Sequence, residues 1–202
     1  MSAAATLAPE ASAASLSPLR DFVRGLAALA DRGATEAEFL SEGGALLRQL
    51  VADDRWLPDA YAASDAERYR QYLLYLDPAG RFSVVSFVWG PGQRTPVHDH
   101  RVWGLVGVLR GKEVVENYQR RPDGLRLTGS ELLPAGSVDA VSPAIGDIHR
   151  VSNAFDDRVT ISIHVYGADI GKVRRATYDH DGSPKPFVSG YAEAPPLFLW
   201  ND

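Results

Sequence analysis

The sequence predicts a mainly β chain in which an all-β barrel or sandwich follows two N-terminal helices. Three observations point there. Apolar residues recur at helical spacing only near the N terminus. From about Tyr69 the chain turns to short aromatic and β-branched runs separated by Gly, Pro and Asp. Neither βαβ alternation nor an internal repeat appears, so a parallel sheet and a solenoid are both disfavoured.

The first helix is expected from Ser17-Pro18, an N-cap followed by proline at the first helical position. Leu19, Phe22, Val23, Leu26 and Leu29 give it one apolar face, and Gly33 ends it. Thr35 with Glu38 forms a capping-box pattern for a second helix, whose face carries Phe39, Leu46, Leu47 and Leu50. The helices occupy 17–52, and Asp53 to Ala63 reads as a connection. Ser64-x-x-Glu67 is a further capping signal, so the next run, Tyr69 to Leu76, could begin as a helix. Strand-like runs follow at Arg81 to Trp89, Gly104 to Leu109, Glu113 to Tyr118, Gly129 to Leu133 and Val159 to Tyr166. The barrel is therefore placed at about 69–167. The Pro- and Gly-rich stretch 168–202 is expected to wrap it, making 16–202 one domain. Residues 1–15 are Ala- and Ser-rich without a basic n-region, and read as a disordered tail rather than a signal peptide.

Composition narrows the function. The 202 residues carry 45% hydrophobic and 23% charged side chains, as in ordinary globular proteins. A net charge of −5 argues against a nucleic-acid partner, which demands a dense basic surface. No apolar run approaches the roughly 20 residues that span a bilayer, so a cytoplasmic location is expected. There is no cysteine, which excludes disulfides, thiolate nucleophiles and Cys-ligated metals. Any metal site must draw on His, Asp, Glu or backbone oxygen. No heptad or obvious patch reveals an oligomeric state.

The histidines carry the chemistry. His98 and His100 form an H-x-H pair, which on a strand turns both imidazoles to one side. Gly92 precedes the pair by six residues, and Gly104 and Gly111 follow it. Downstream, Pro143 and Gly146-x-x-His149-x-x-x-Asn153 form a second group. Together these resemble the two cupin motifs, the second with one extra residue between Pro and Gly. The resemblance implies a small antiparallel barrel holding a metal in its mouth on His98, His100 and His149. Where many cupins place a fourth, glutamate ligand, this chain has Gly104. Three neutral ligands leave a bound cation its full charge and would favour an anionic, chelating substrate such as a thiolate.

On the run Thr160 to Tyr166, Ser162, His164 and Tyr166 share one face, and Ile161, Ile163 and Val165 share the other. Either the aliphatic residues pack between barrel and helices, or the polar ones are simply exposed. Three ligand histidines, no cupin glutamate and Ser-x-His-x-Tyr together resemble the cysteine dioxygenase superfamily of thiol dioxygenases, over about Tyr69 to Arg175. That resemblance implies Fe(II), a small-molecule thiol and O₂ as partners, and a sulfinate product. It also implies a relay in which His164 bridges Ser162 and Tyr166. The arginine that binds the cysteine carboxylate in the mammalian enzymes corresponds to Gln71 here. With no cysteine, their Cys–Tyr crosslink cannot form. Gln71, Gly104 and Arg175 look like the bacterial 3-mercaptopropionate dioxygenase branch, in which the later arginine is associated with the substrate carboxylate. Cysteine and mercaptosuccinate remain alternative substrates. A non-redox metal-binding cupin, an isomerase or ligand sensor, is the alternative from another class. His180 reads as a surface residue, and Trp89 and Trp103 as packing.

Overall fold

The computed structural model describes residues 15–200. Almost all of the expected tail lies outside that range. Helix α1 (Ser17–Asp31) buries Leu19, Phe22, Val23, Leu26 and Leu29, the predicted face. Its cap is displaced: Leu16 is the N-cap and makes no side-chain cap bond, so Ser17 is already helical. The Thr35–Glu38 capping box does form, starting α2 (Glu36–Glu38), which runs through one π-helical turn at Phe39–Gly43 into α3 (Gly44–Leu50). The Ser64-x-x-Glu67 signal starts no helix. Asp65 instead accepts from the Glu67 and Arg68 backbone N–H groups at 2.8 and 3.2 Å, a local turn that competes with helix.

The strands are β1 (Arg70–Leu76), β2 (Ser83–Trp89), β3 (Gly104–Arg110), β4 (Lys112–Arg121) and β5 (Gly124–Pro134). They continue with β6 (Val138–Val141), β7 (His149–Asn153), β8 (Thr160–Tyr166), β9 (Arg175–Tyr178) and β10 (Pro184–Phe187). One antiparallel sheet has the order β1-β2-β8-β3-β6, another β5-β4-β7, and β9 pairs with β10. This is the cupin architecture. All six expected runs, Tyr69 to Leu76 included, form strands, while β6, β7, β9 and β10 are additions. They are short, and their sequences lack the alternation that marks longer strands.

The five-stranded sheet is buried on both faces. Its outer face sends Tyr72, Leu74, Val84, Val88, Leu105, Ile161, Ile163 and Val165 into one apolar cluster with α1 and α3. Its inner face sends Val85, Phe87, Trp89, Val108 and Tyr166 into a second cluster, which Val115, Leu133 and Val151 complete from the other sheet. The choice left open at β8 is thereby resolved. The aliphatic residues face the helices, and Ser162, His164 and Tyr166 point into the barrel, all nearly free of solvent.

Candidate metal centre

His98 and His100 do not lie on a regular strand, contrary to expectation. His98 instead forms two isolated bridges, to His149 and to Thr177. The first has both backbone hydrogen bonds, 2.9 and 3.0 Å, so the two motifs are tied together at the ligand positions themselves. The consequence for the imidazoles is the same. Ring centroids of His98, His100 and His149 stand 4.8, 4.8 and 4.7 Å apart, and the three form a buried group able to hold a metal ion.

Their other contacts fit that use. His98 Nδ1 lies 3.0 Å from the Pro96 carbonyl, a bond in which the ring must donate. His100 Nδ1 lies 3.0 Å from Asp147 Oδ1. Such partners fix ring orientation and leave the opposite nitrogen as a ligand. His100 Nε2 and His149 Nδ1 are buried without a hydrogen-bond partner. Burial, reinforced by His100, holds His98 and His149 well below the usual imidazole range, so both stay neutral with a lone pair to offer. A divalent cation would satisfy all these requirements.

Asp147 escaped the sequence reading, although its place two residues before His149 was a signal. It also accepts from the backbone N–H groups of His100 and Arg101 at 3.0 and 2.9 Å, and Arg101 has a positive φ of 61°. Gly104 has a steric reason. A Cβ there would stand 2.9 Å from Tyr166 Cδ1, so a glutamate at this position and Tyr166 in its present place exclude one another.

Ser162, His164 and Tyr166 form the expected line. Ser162 Oγ is 2.8 Å from His164 Nε2, and His164 Nδ1 is 2.8 Å from Tyr166 Oη. The Tyr166 ring stacks on His100 at 5.5 Å between centroids, which brings the line to the histidine triad. Burial depresses the His164 pKa and raises that of Tyr166. Trp89 packs as predicted, but its indole N–H also donates to Ser162 Oγ at 3.2 Å. Trp103 stacks on Phe39 at 4.7 Å and is a packing residue.

Arg175, at the start of β9, is 3% exposed and lies close enough to His98, His164 and Tyr166 to influence their ionisation. Asp99 positions it. Asp99 Oδ1 accepts from the Ala176 N–H at 2.7 Å, and Oδ2 from the Tyr178 hydroxyl at 2.8 Å. The Arg175 guanidinium donates to Ser189 Oγ at 2.7 Å and lies over the Phe187 ring, while its Nε has no partner. Gln71 on β1 shares a face with Leu73 and with Tyr69 just before the strand, both packed against the inner cluster. A cleft of about 830 Å³ beside β1 is lined by Gln71, Tyr69, Phe187, Ser189 and Tyr191, so Gln71 and the Arg175 partners share one wall. His180 is exposed.

A barrel of this order with a buried three-histidine group defines a metal-binding cupin, and the line to Tyr166 adds groups that can move a proton. The family model for cysteine dioxygenase type I matches residues 1–180, and the chain belongs to that family. It is accordingly a thiol dioxygenase, an oxidoreductase acting on a small-molecule thiol and O₂, which sets aside the non-redox alternative. Cysteine dioxygenase type 1 of Danio rerio is 26% identical over 147 residues, spanning 69% of this chain and 72% of that protein. An uncharacterized Klebsiella pneumoniae protein with a double-stranded β-helix domain is 18% identical with a TM-score of 0.48, covering 63% of this chain and 99% of that one. A cupin 2 domain-containing protein from Halorhodospira halophila is 20% identical with a TM-score of 0.45, covering 59% and 77%. No helix among the described residues is long and apolar enough to cross a membrane.

Proposed function

We propose that the protein holds Fe(II) on His98, His100 and His149 and converts a small carboxylated thiol, 3-mercaptopropionate in preference, to its sulfinate with both atoms of O₂. When bound, Fe(II) supplies the redox chemistry that joins O₂ to the thiolate sulfur. The observation that carries the substrate reading is Arg175, a buried guanidinium beside the histidines whose Nε is unpartnered. A carboxylate would accept from it in a charge-assisted fork, whereas Gln71 offers no charge.

The α-amine of cysteine finds no counterpart in this reading. Asp99 is engaged by Ala176, Tyr178 and Arg101, and Glu116 pairs with Arg150 at 2.6 Å. An ammonium left unpaired would cost on the order of 1 kcal/mol or more. Tyr166, anchored by His164, would present its hydroxyl to the bound thiol, and the aromatic wall of Tyr69, Phe87 and Trp89 would exclude water.

The Danio rerio relative favours L-cysteine as the second reading. Anaerobic loading with Fe(II), followed by oxygen uptake on a panel of thiols, separates the two. The expected order of kcat/KM is 3-mercaptopropionate, then cysteine, then cysteamine, which lacks a carboxylate. Arg175→Ala should raise KM for 3-mercaptopropionate roughly 10- to 100-fold, the loss of a charge-assisted pair. A preference for L-cysteine or cysteamine would overturn the substrate.

A further inference from the structure

Glu113, at the second position of β4, is a carboxylic acid with 0% exposure, and neither of its oxygens has a hydrogen-bond partner. Among the described residues no cation pairs with it. Its strand sends Val115 into the inner cluster, and Glu113 shares that face. Ser162 on β8 and Trp89 on β2 are the donors near enough to favour its ionised form, although neither meets it in hydrogen-bond geometry. β3 contributes Val108, the pairing partner of Ser162; β5 and β7 place Leu133 and Asn153 opposite Glu113, and neither titrates. Asp139 on β6 is the charged group felt from another strand, and it too disfavours ionisation. Past Ser162 lie His164 and then Tyr166.

We propose that Glu113 is the fourth member of the Ser162–His164–Tyr166 line, a positioning residue whose carboxyl stores the line's proton and sets which way every proton along it points. The inference deepens the thiol dioxygenase reading and rests on it for its purpose, though not for its geometry.

The argument is one of donors and acceptors. Ser162 has one proton to give, and its oxygen already accepts from the Trp89 indole N–H. If Glu113 is ionised, the Ser162 O–H is drawn to it. Ser162 then accepts from His164 Nε2–H, and His164 Nδ1 accepts from the Tyr166 hydroxyl, whose proton points away from the histidine triad. If Glu113 is neutral, its O–H donates to Ser162, and Ser162 donates to His164 Nε2. His164 Nδ1–H then donates to Tyr166, which frees the tyrosine O–H to face the triad. The two states interconvert by one proton. A proton passing from a thiol S–H to Tyr166 sends the tyrosine's own proton to His164 Nδ1, that of Nε2 to Ser162, and that of Ser162 to Glu113. Four bonds to hydrogen form, four break, and no electron moves. Return along the line restores the first state. Burial pushes the Glu113 carboxyl up to about 7, with Ser162 and Trp89 opposing, so both states are reachable near neutral pH.

The test needs neither metal, thiol nor oxygen, so it is separable from the proposed function. In metal-free protein labelled with ¹⁵N-histidine, the His164 resonances, identified by their loss in His164→Gln, report which ring nitrogen carries the proton. Wild type should pass from the Nδ1–H form at pH 5.5 to the Nε2–H form at pH 8.5, with a midpoint near 7. Glu113→Gln should hold one form throughout. Ser162→Ala, which cuts the line between Glu113 and His164, should also abolish the change, and serves should the glutamine variant not fold. A wild-type His164 that keeps one tautomer overturns the proposal, as does a change that persists in either variant. In the loaded enzyme, Glu113→Gln should lose the inflection of kcat near pH 7 with little change in KM. A switching His164 in a protein that oxidises no thiol would sink the function and leave the relay standing.

Discussion

The two ends of the barrel's polar interior are built on opposite plans. At the histidine end, three ligands come from two distant segments joined by backbone bridges, and Pro96 and Asp147 fix the rings of His98 and His100. At the Glu113 end, three groups come from one strand by simple alternation, and the last group in line is left without a partner. The first end gathers three neutral imidazoles, with His100 Nε2 and His149 Nδ1 buried and unpartnered, which suits a cation. The second has one carboxyl to spare, which suits a proton. Removing a group should therefore destroy the first end outright and only retune the second.

The largest effect is expected at the histidines. His98→Ala, His100→Ala and His149→Ala should each lose bound metal and activity, while circular dichroism still reports the barrel. The fold should survive because both apolar clusters stay intact. A His149→Ala protein with wild-type metal content and turnover would remove His149 from the centre and break the contrast.

Next comes Glu113, where the effect is on stability. An acid held at about 7 in the fold and ionising at 4.5 when unfolded binds a proton only the folded chain retains between those values. Its contribution is complete below pH 4.5 and lost as pH rises through about 7. Glutamine carries no such dependence. Denaturant unfolding of the metal-free proteins should show Glu113→Gln gaining on wild type by roughly 3 kcal/mol between pH 4 and 8. A constant gap would mean that Glu113 ionises normally. Asp147→Asn sharpens the comparison from the other side. It weakens the acceptor that orients His100, so metal affinity should fall roughly 10- to 100-fold, with thermal stability little changed. Metal titration followed by calorimetry measures it.

The same contrast governs what was legible in the sequence. β8 could be read in full because period-2 alternation is a property of one segment, and it puts Ser162, His164 and Tyr166 on a shared face. The ligands were legible by motif spacing, although the H-x-H pair turned out to sit on bridged loops rather than a strand. What stayed hidden were the contacts between segments that no motif marks. Asp147 matters because it reaches His100 across 47 positions, and Asp99 because it reaches Ala176 across 77. Glu113 looked like an ordinary strand residue, and only the closing of β8 and β2 over it makes it a buried acid. The false helix signal at Ser64 failed because Asp65 captured the same backbone N–H groups in a turn.

The smallest effect is expected inside the line itself. Tyr166→Phe removes one hydroxyl whose hydrogen bond to His164 is 2.8 Å, and His164→Asn removes the ring that holds it. Neither touches the nitrogens that converge on the metal, so metal content should match wild type. What is lost is one hydrogen bond to the reacting groups and the path for one proton. A single such bond is worth about 0.5–1.5 kcal/mol, or roughly a 2- to 10-fold fall in kcat. The proton path should show more clearly in coupling than in rate, as less sulfinate formed per O₂ consumed. Parallel measurement of oxygen uptake and product by mass spectrometry separates the two. If both variants kept wild-type rate and stoichiometry, the line would be packing, and the distinction between a cation end and a proton end would collapse to the histidines alone.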